Sequence, residues 1–186
     1  MALILASSSP RRQELLRSAG IVFEVDAAGL AEIQRAGEAP LDFALRMAWE
    51  KARAVFGRRP QDAVLGADTI VVVDGEVLGK PSDAADAARM LRALSARAHE
   101  VTTAVCLLAP SIEETAAETS LVTMSAISED EIQSYVASGE PLDKAGAYAV
   151  QGGASRWVRR IEGCYFNVVG LPVPRVYEML QRRGMV

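Results

Sequence analysis

The sequence predicts an α/β protein built on a mixed sheet with flanking helices. Short apolar runs of strand character alternate with stretches of helical periodicity, and the chain opens with a strand, a helix and a second strand. The dipeptide Asp74-Gly75 between two apolar runs indicates a two-residue hairpin. Hairpins and crossover helices together imply both parallel and antiparallel strand pairs. At 186 residues, half of them hydrophobic, the chain is long enough for one domain, which we expect over residues 1–186.

The first three elements follow from the opening residues. An apolar run at residues 2–6 predicts a buried strand, and Ser9-Pro10 begins a helix over 10–19, because proline suits the first helical position. The run IVFEV at 21–25 predicts a second strand. We expect the first helix to turn inward the side chains of Leu15, Leu16 and Ala19.

The next segment combines a helix with a strand and a hairpin. A helix is indicated over 41–56 by apolar residues at helical spacing, namely Leu41, Leu45, Ala48, Ala52 and Val55. The segment VLGADTIVVVDGEVLGKP then predicts a strand, a loop at Gly66–Asp68, and two short strands joined by Asp74-Gly75.

The second half of the chain continues the alternation. A helix over 83–95 is expected to bury Ala87, Met90, Leu91 and Leu94. The runs HEVTTAVCLLA and TSLVTMSAI predict long paired strands. Ser128 and Glu131 have the spacing of a capping box that begins a helix, Gly139 ends that helix, and the last helix covers about 173–182.

Composition excludes several classes of protein. With 20 Lys and Arg against 24 Asp and Glu, the net charge of −4 argues against a broad basic surface for a nucleic-acid polymer. No stretch approaches the roughly 20 apolar residues of a membrane span, and the short N-terminal apolar run has its arginines on the wrong side for a signal peptide. Cys106 and Cys164 lie far apart without metal-ligand spacing, so we expect reduced core thiols and a cytoplasmic protein.

Three common types of functional site are disfavoured. His99 is the only histidine, which excludes a zinc site built on histidines, and no G-x-S-x-G motif accompanies it as a serine hydrolase would require. The stretch GEVLGK resembles a phosphate-binding P-loop, but it has three residues between its glycines instead of four, and Pro81 replaces the Ser or Thr that would bind Mg²⁺. Lys80 stays a candidate because Gly79 and Pro81 fix its position, although it could equally be a solvated loop lysine.

An acidic residue lies between two apolar runs. Asp68, followed by Thr69 in GADT, stands at a predicted strand edge after AVLG and before IVVV, so we expect it to be partly buried. A buried carboxylate needs a partner. Asp68 is therefore either a cap for a backbone N–H, or a metal ligand or general base at a strand end.

Two arginines occupy the first turn of the first predicted helix. Arg11 and Arg12 oppose the helix dipole there, which costs a few tenths of a kcal/mol each unless an anion binds. Free N–H groups at the helix start, the hydroxyls of Ser7 to Ser9 and the forked guanidiniums together suit phosphate oxygens. The alternative is that both arginines point to solvent.

Five segments in the same order resemble the Maf family of nucleoside triphosphate pyrophosphatases: LASSSPRRQELL, LGADTIVVVDGEVLGKP, ALSARAHEVTTAV, YVASGEPLDKAGAYAVQG and VVGLP. The resemblance implies a two-lobed α/β fold with a deep central cleft, similar to the inosine triphosphate pyrophosphatases. It implies hydrolysis of a nucleoside triphosphate between the α and β phosphates, with a divalent cation as cofactor, and it makes a homodimer an expectation.

The resemblance also assigns roles to residues. Arg11, Arg12, Lys51 and Lys80 match cations that handle phosphate, Asp68 matches the proton acceptor, and Glu32 in GLAEIQ matches a family acid. Asp68 and Glu32 are enough protein ligands for Mg²⁺ or Mn²⁺, because such ions take their other ligands from phosphates and water. The chain departs from the family at Ala31, where an Asp is common, and at Ala96, where Gly is usual.

The base is expected to be a pyrimidine. Gln151 lies in the family's specificity segment, with Arg11 and Thr69 at the other specificity positions. A glutamine amide can accept from N3–H and donate to O4 of uracil or thymine, which favours dTTP and UTP in a house-cleaning role. The alternatives are a pyrophosphatase for 7-methyl-GTP or non-canonical purine triphosphates, and a nucleotide-responsive regulator of cell division.

Overall fold

The structure is a computed structural model that describes residues 1–186. The strands are β1 Leu3–Leu5, β2 Glu24–Val25, β3 Ala63–Val73, β4 Glu76–Leu78, β5 Ala98–Ala109, β6 Ile112–Met124 and β7 Val158–Glu162. The helices are α1 Pro10–Ser18, α2 Pro40–Phe56, α3 Ala84–Leu94, α4 Glu129–Ala137, α5 Tyr165–Val169 and α6 Val173–Gln181. Three short 3₁₀ segments cover Glu140–Asp143, Ala145–Ala147 and Gly153–Trp157.

The seven strands form one mixed sheet. Its order is β2-β1-β3-β5-β6-β7, with β4 paired to β3. β1 runs parallel to β2 and β3, whereas the β3–β4 and β6–β7 pairs are antiparallel. Asp74 and Gly75 have φ values of 52° and 80°, so both central residues of the β3–β4 hairpin are left-handed, as a type I′ turn requires. The predicted mixed sheet is confirmed.

The chain divides into two compact units. The first unit comprises Met1–Thr69, Thr103–Glu118 and Gly170–Val186, and the second comprises Ile70–Thr102 and Thr119–Val169. The core of the first includes Leu5, Leu16, Leu65, Leu107 and Leu171. The core of the second includes Leu78, Leu91, Val122, Tyr135 and Trp157. Each unit therefore has its own apolar core. The single domain expected over 1–186 stays a prediction.

The loop predicted at Gly66–Asp68 is wrong, because β3 runs without interruption from Ala63 to Val73. Gly66 serves packing instead of a turn. A Cβ added there would lie 2.2 Å from the carbonyl oxygen of Ala48 on α2. Glycine therefore lets α2 lie directly against β3.

The buried face of α2 differs from the predicted stripe. Ala48, Ala52 and Val55 are buried as expected, but Leu41 is exposed and Leu45 is half-buried. The buried side also includes Phe43, Ala44, Met47 and Lys51. Hydropathy alone places a lysine on the exposed side of a helix. The predicted stripe therefore missed the part of the buried face that contains Lys51.

Smaller corrections concern the ends of elements. Ala19 is exposed because α1 ends at Ser18, and the second strand is reduced to Glu24–Val25.

Cys106 is buried as predicted, and its pKa is raised to about 12 by burial, but Cys164 is only half-buried. β7, α5 and the 3₁₀ segments were not predicted.

The inward face of α3 and the capping box of α4 are as predicted. Ala96, where the family usually has Gly, follows α3 with φ of 57°, in the left-handed region that favours glycine. No helix in the structure is long and apolar enough to cross a membrane.

Candidate active site

Three charged side chains lie buried in the first unit. Arg12, Lys51 and Asp68 are only 9%, 7% and 3% exposed. Charges this well buried need partners, because desolvation costs several kcal/mol for each ion. Their hydrogen bonds therefore define the site.

Lys51 brings the two predicted acids together. Its Nζ atom, extending from α2, donates to Asp68 Oδ1 on β3 and to Glu32 Oε1 in the loop between β2 and α2, each at 2.6 Å. Asp68 is nearly inaccessible, whereas about a third of the Glu32 side chain (33%) is exposed. One ammonium thus joins an inner and an outer carboxylate.

Burial raises the pKa of Asp68, although the charges of Lys51 and Arg12 act in the opposite direction. A carboxylate with a raised pKa holds a proton more firmly than an ordinary aspartate, which suits a general base that works near neutral pH. The geometry that buries Asp68 therefore also makes it a better proton acceptor.

Arg12 holds four groups of the first unit. Its Nε donates to Gly170 O at 2.8 Å, Nη1 donates to Ser7 Oγ at 3.1 Å and Ala67 O at 2.9 Å, and Nη2 donates to Thr69 Oγ1 at 3.0 Å. Burial lowers the pKa of Arg12, and the charges of Asp68 and Glu32 oppose that effect. The alternative that both arginines point to solvent is wrong for Arg12.

The N-terminus of α1 carries the remaining residues of the predicted anion site. Ser7 is buried and its Oγ accepts from the Ser9 N–H at 3.2 Å as well as from Arg12. Ser9 is the N-cap residue, and its side chain makes no capping hydrogen bond. Arg11 is half-buried on the first turn. The structure thus places Ser7, Ser9, Arg11 and Arg12 together around one helix start.

Thr69 follows Asp68 on β3 and belongs to the hydrogen-bond network of Arg12. Its hydroxyl lies 2.9 Å from the Thr103 hydroxyl and accepts from Arg12. Because successive strand residues point to opposite faces, Asp68 and Thr69 contact different neighbours. Neither Thr103 nor the Gly170 carbonyl was singled out from the sequence, although Gly170 lies in the quoted segment VVGLP.

Lys80 and Gln151 lie in the second unit. Lys80 is exposed just after β4, and its neighbours are fixed, since Gly79 O accepts from the Gly146 N–H at 3.1 Å and Pro81 is buried. Gln151 is exposed in a turn closed by the Gly152 N–H, which donates to Ala149 O at 3.0 Å. That these two residues serve the same substrate as the first-unit residues stays a prediction from the resemblance.

His99 is packed in the second unit. Its Nε2 lies 2.8 Å from the Tyr148 hydroxyl and the two rings meet edge to face. Burial lowers its pKa to about 4, so the ring is neutral at physiological pH. His99 is a core residue with one polar partner.

The donor set suits a hard divalent cation rather than zinc. The structure has no group of three or more His, Cys, Asp or Glu side chains that could hold a metal ion. It has instead two carboxylate oxygens that converge on one cation, the Lys51 ammonium. Mg²⁺ and Mn²⁺ need no more protein ligands than this when phosphates and water complete the shell. Asp68 and Glu32 therefore fit such an ion.

Comparison with known proteins agrees with the sequence motifs. The family model described as "Maf-like protein" matches residues 2–183. The chain belongs to the Maf family. The resemblance predicted from the five segments is thereby confirmed over nearly the whole length of this Maf chain.

Two curated relatives are similar to this Maf chain from end to end. The chain is 58% identical over 186 residues to a dTTP/UTP pyrophosphatase of Koribacter versatilis, covering 100% of this chain and 96% of that protein. It is 52% identical over 182 residues to a dTTP/UTP pyrophosphatase of Symbiobacterium thermophilum, covering 98% and 94%.

A solved structure shares the fold of this Maf chain. The Ham1 protein of Staphylococcus aureus superimposes with a TM-score of 0.52 at 14% sequence identity, over 97% of this chain and 98% of that one. At this identity the likeness concerns the fold alone. The predicted α/β class, a mixed sheet with flanking helices, is confirmed.

Proposed function

We propose that this protein is a nucleoside triphosphate pyrophosphatase that hydrolyses dTTP and UTP to the monophosphate and pyrophosphate. The observation that carries the proposal is the end-to-end identity of 58% with a protein named for this activity. The buried Lys51–Asp68 pair supports it, because a protein that only binds nucleotides needs no acid with a raised pKa among its cations.

Asp68 is the proton acceptor in this proposal. It takes a proton from the attacking water as the water oxygen bonds to the α-phosphorus and the bond to the β-phosphate breaks, releasing pyrophosphate. Lys51 holds the carboxylate in place through its 2.6 Å hydrogen bond. Holding the general base Asp68 in this way lowers the entropic cost of reaching the reactive geometry.

The N-terminus of α1 binds phosphate. Ser7, Ser9 and Arg11 surround the helix start, where backbone N–H groups favour an anion, and Lys80 is the fourth proposed contact. Four of the five N–H groups of a guanidinium are already used in Arg12. Arg12 therefore contributes positive charge and a fixed frame, with at most one N–H for a phosphate oxygen.

Asp68 and Glu32 would hold a divalent cation, Mg²⁺ or Mn²⁺, which when bound would neutralise charge on the triphosphate oxygens. Gln151 reads the base through its amide, with Arg11 and Thr69 as further selectivity residues. The amide donates to O4 and accepts from N3–H of uracil or thymine, so while it is held in that orientation a base lacking this pattern leaves a polar group unpaired. A homodimer stays a prediction.

The test is pyrophosphate release from a panel of dTTP, UTP, CTP, 7-methyl-GTP and ITP, with Mg²⁺, with Mn²⁺ and with EDTA. We expect dTTP and UTP to be hydrolysed fastest and only with a divalent cation. Asp68→Asn should lower kcat by about 100-fold or more, the usual contribution of a general base. Asp42→Asn is the matched control, because Asp42 is an exposed residue of the first turn of α2.

Two results would contradict the proposal. Faster hydrolysis of 7-methyl-GTP or ITP would favour a purine pyrophosphatase. Tight binding of nucleotides without turnover of any of them would favour a nucleotide-responsive regulator.

A further inference from the structure

The turn that carries Gln151 is attached to a small polar cluster of the second unit. The turn runs from Ala149 to Gly152 and is closed by one backbone hydrogen bond of 3.0 Å. Val150 is buried at its centre, whereas Gln151 is exposed. A single hydrogen bond fixes the shape of a turn but not its orientation on the rest of the protein. The orientation of the turn therefore depends on the contacts of the residues at its ends.

The end of the turn contacts a hydrogen-bonded pair of side chains, Tyr135 and Glu140. The Gly153 N–H, just after the turn, donates to Glu140 Oε1 and Oε2 at 3.1 and 3.2 Å. The Tyr135 hydroxyl donates to Glu140 Oε1 at 2.8 Å. One network therefore ties the end of the turn to α4 and to the 3₁₀ segment that begins at Glu140.

The backbone lies directly on this pair. A Cβ added to Gly152 would come within 2.0 Å of Glu140 Oε1, and one added to Gly153 would lie 3.2 Å from both Glu140 Oε2 and a ring carbon of Tyr135. Real Cβ atoms do not approach another heavy atom at 2.0 Å. The two glycines of AVQGG thus allow a close fit between the turn and the carboxylate.

Tyr135 and Glu140 are themselves fixed. Tyr135 is a buried residue of α4, and its ring packs edge to face on Trp157 at 5.2 Å. Glu140 begins the 3₁₀ segment after Gly139, whose φ of 74° reverses the chain, and its carbonyl oxygen accepts from Lys144 Nζ. Because both side chains are held in place, they can fix the position of the turn.

Glu131, another acid of this region, shows a different arrangement. Its carboxylate accepts from the Ser128 backbone and from Trp157 Nε1, which caps α4 and anchors the aromatic pair. The Glu140 carboxylate contacts Tyr135 and the backbone after the turn instead. A stability role alone explains Glu131, but it does not explain why Glu140 contacts this turn.

We propose that Glu140, together with Tyr135, is a positioning residue that sets the preference for thymine and uracil over cytosine by fixing the turn that presents Gln151. This inference rests on the proposed function, in which Gln151 reads the base. Two reciprocal hydrogen bonds to a base edge require an amide held within about 0.5 Å of its place. Glu140 supplies that precision without touching the nucleotide.

The first test is a double-mutant cycle of Glu140→Ala, Gln151→Ala and the double variant, with kcat and KM measured for dTTP and CTP. We expect Glu140→Ala to lower the dTTP-to-CTP ratio of kcat/KM by about tenfold, mainly through KM, as a coupling between neighbouring groups allows. Adding Glu140→Ala to Gln151→Ala should change the ratio little further. Additive effects of the two substitutions would overturn the proposal.

Two conservative variants separate positioning from folding. Glu140→Gln keeps an acceptor oxygen for Tyr135 and Gly153, so it should restore most of the ratio. Tyr135→Phe keeps the packing on Trp157 but removes the hydroxyl, so it should reproduce part of the loss. Glu129→Ala is the control, because this exposed acid of α4 pairs with Arg92 and not with the turn. A Glu140→Gln variant as impaired as Glu140→Ala would contradict the proposal.

Amide hydrogen exchange supplies a readout that needs no substrate. In Glu140→Ala, exchange of the amides at 149–153 should accelerate by at least about tenfold, while α3 and α4 stay protected. Unchanged exchange in the turn would overturn the role of Glu140 whatever the enzyme hydrolyses. If the wild type hydrolyses neither dTTP nor UTP, the proposed function fails, and the exchange result still decides whether Glu140 fixes the turn.

Discussion

Lys51 is the residue that the sequence pattern placed least well. It lies on the buried side of α2 and binds Asp68 and Glu32 at 2.6 Å each. Hydropathy assigns every lysine to the exposed face of a helix, so only the family resemblance pointed to Lys51. The contacts of Arg12 were equally hidden, because Gly170 O lies 158 residues further along the chain. Long-range partners decide which charges are buried, and periodicity carries no information about them.

Replacement of Lys51 by methionine should destabilise the protein by about 3 kcal/mol, because it removes one partner of a buried pair and leaves the Asp68 carboxylate without its hydrogen-bonded cation. Urea unfolding at pH 8 measures the loss. Arg53→Met is the control, since Arg53 is an exposed residue of the same helix. The double variant Lys51→Met/Asp68→Asn should recover most of the stability. A Lys51→Met variant as stable as Arg53→Met would show that Asp68 needs no cation.

At the scale of elements, the contact between α2 and β3 positions the site, since α2 carries Lys51 and β3 carries Asp68. The sequence predicted both elements but broke β3 at Gly66–Asp68, because glycine and aspartate are common in turns. In the structure Gly66 serves the approach of the helix, and Asp68 continues the strand opposite Lys51. Packing against α2 overrides local propensity at the buried acid Asp68.

Gly66→Ala should therefore disrupt the α2–β3 contact. The added Cβ would lie 2.2 Å from Ala48 O and 2.7 Å from Ala52 N, both rigid helix backbone, so α2 must shift. We expect a loss of about 3 kcal/mol in the free energy of unfolding, at the upper end for overpacking, together with reduced hydrolysis because Lys51 moves with the helix. Thermal and urea unfolding measure it.

The matched control is Gly57→Ala at the end of α2. Gly57 has right-handed helical backbone with φ of −58°, and its added Cβ would come no closer than 3.6 Å to Arg53 O. This variant should stay within about 0.5 kcal/mol of the wild type, as surface substitutions usually do. Equal stability of the two alanine variants would mean that α2 is free to move away from β3.

At the scale of the whole molecule, the sequence predicted elements with strong local signals well and elements placed by long-range pairing poorly. α3 and α4 were found with their inward residues and capping box because periodicity and caps are local signals. β7, with the sequence VRRIE, was missed because its charged residues hide the strand pattern, and its place is set by pairing with β6. The same holds for the Gln151 turn, whose position depends on Glu140.

The pH dependence of global stability should carry the signature of His99. In the folded protein its pKa is about 4, because the ring is buried against Tyr148, whereas an unfolded histidine titrates near 6.5. Between these values the unfolded chain binds a proton that the folded chain does not. The free energy of unfolding therefore falls as the pH is lowered through this window, by up to about 3 kcal/mol in total.

His99→Gln tests this dependence, because glutamine does not titrate and can still hydrogen-bond to the Tyr148 hydroxyl. His99 is the only histidine, and carboxylates contribute alike to both proteins, so the difference in unfolding free energy isolates this one ring. Urea unfolding at pH 7, 6, 5 and 4 should show the wild type losing stability relative to His99→Gln at each step below about pH 6.5, most steeply where the linkage slope reaches about 1.4 kcal/mol per pH unit. Parallel curves for the two proteins would mean that the ring accepts a proton in the fold as easily as in the unfolded chain.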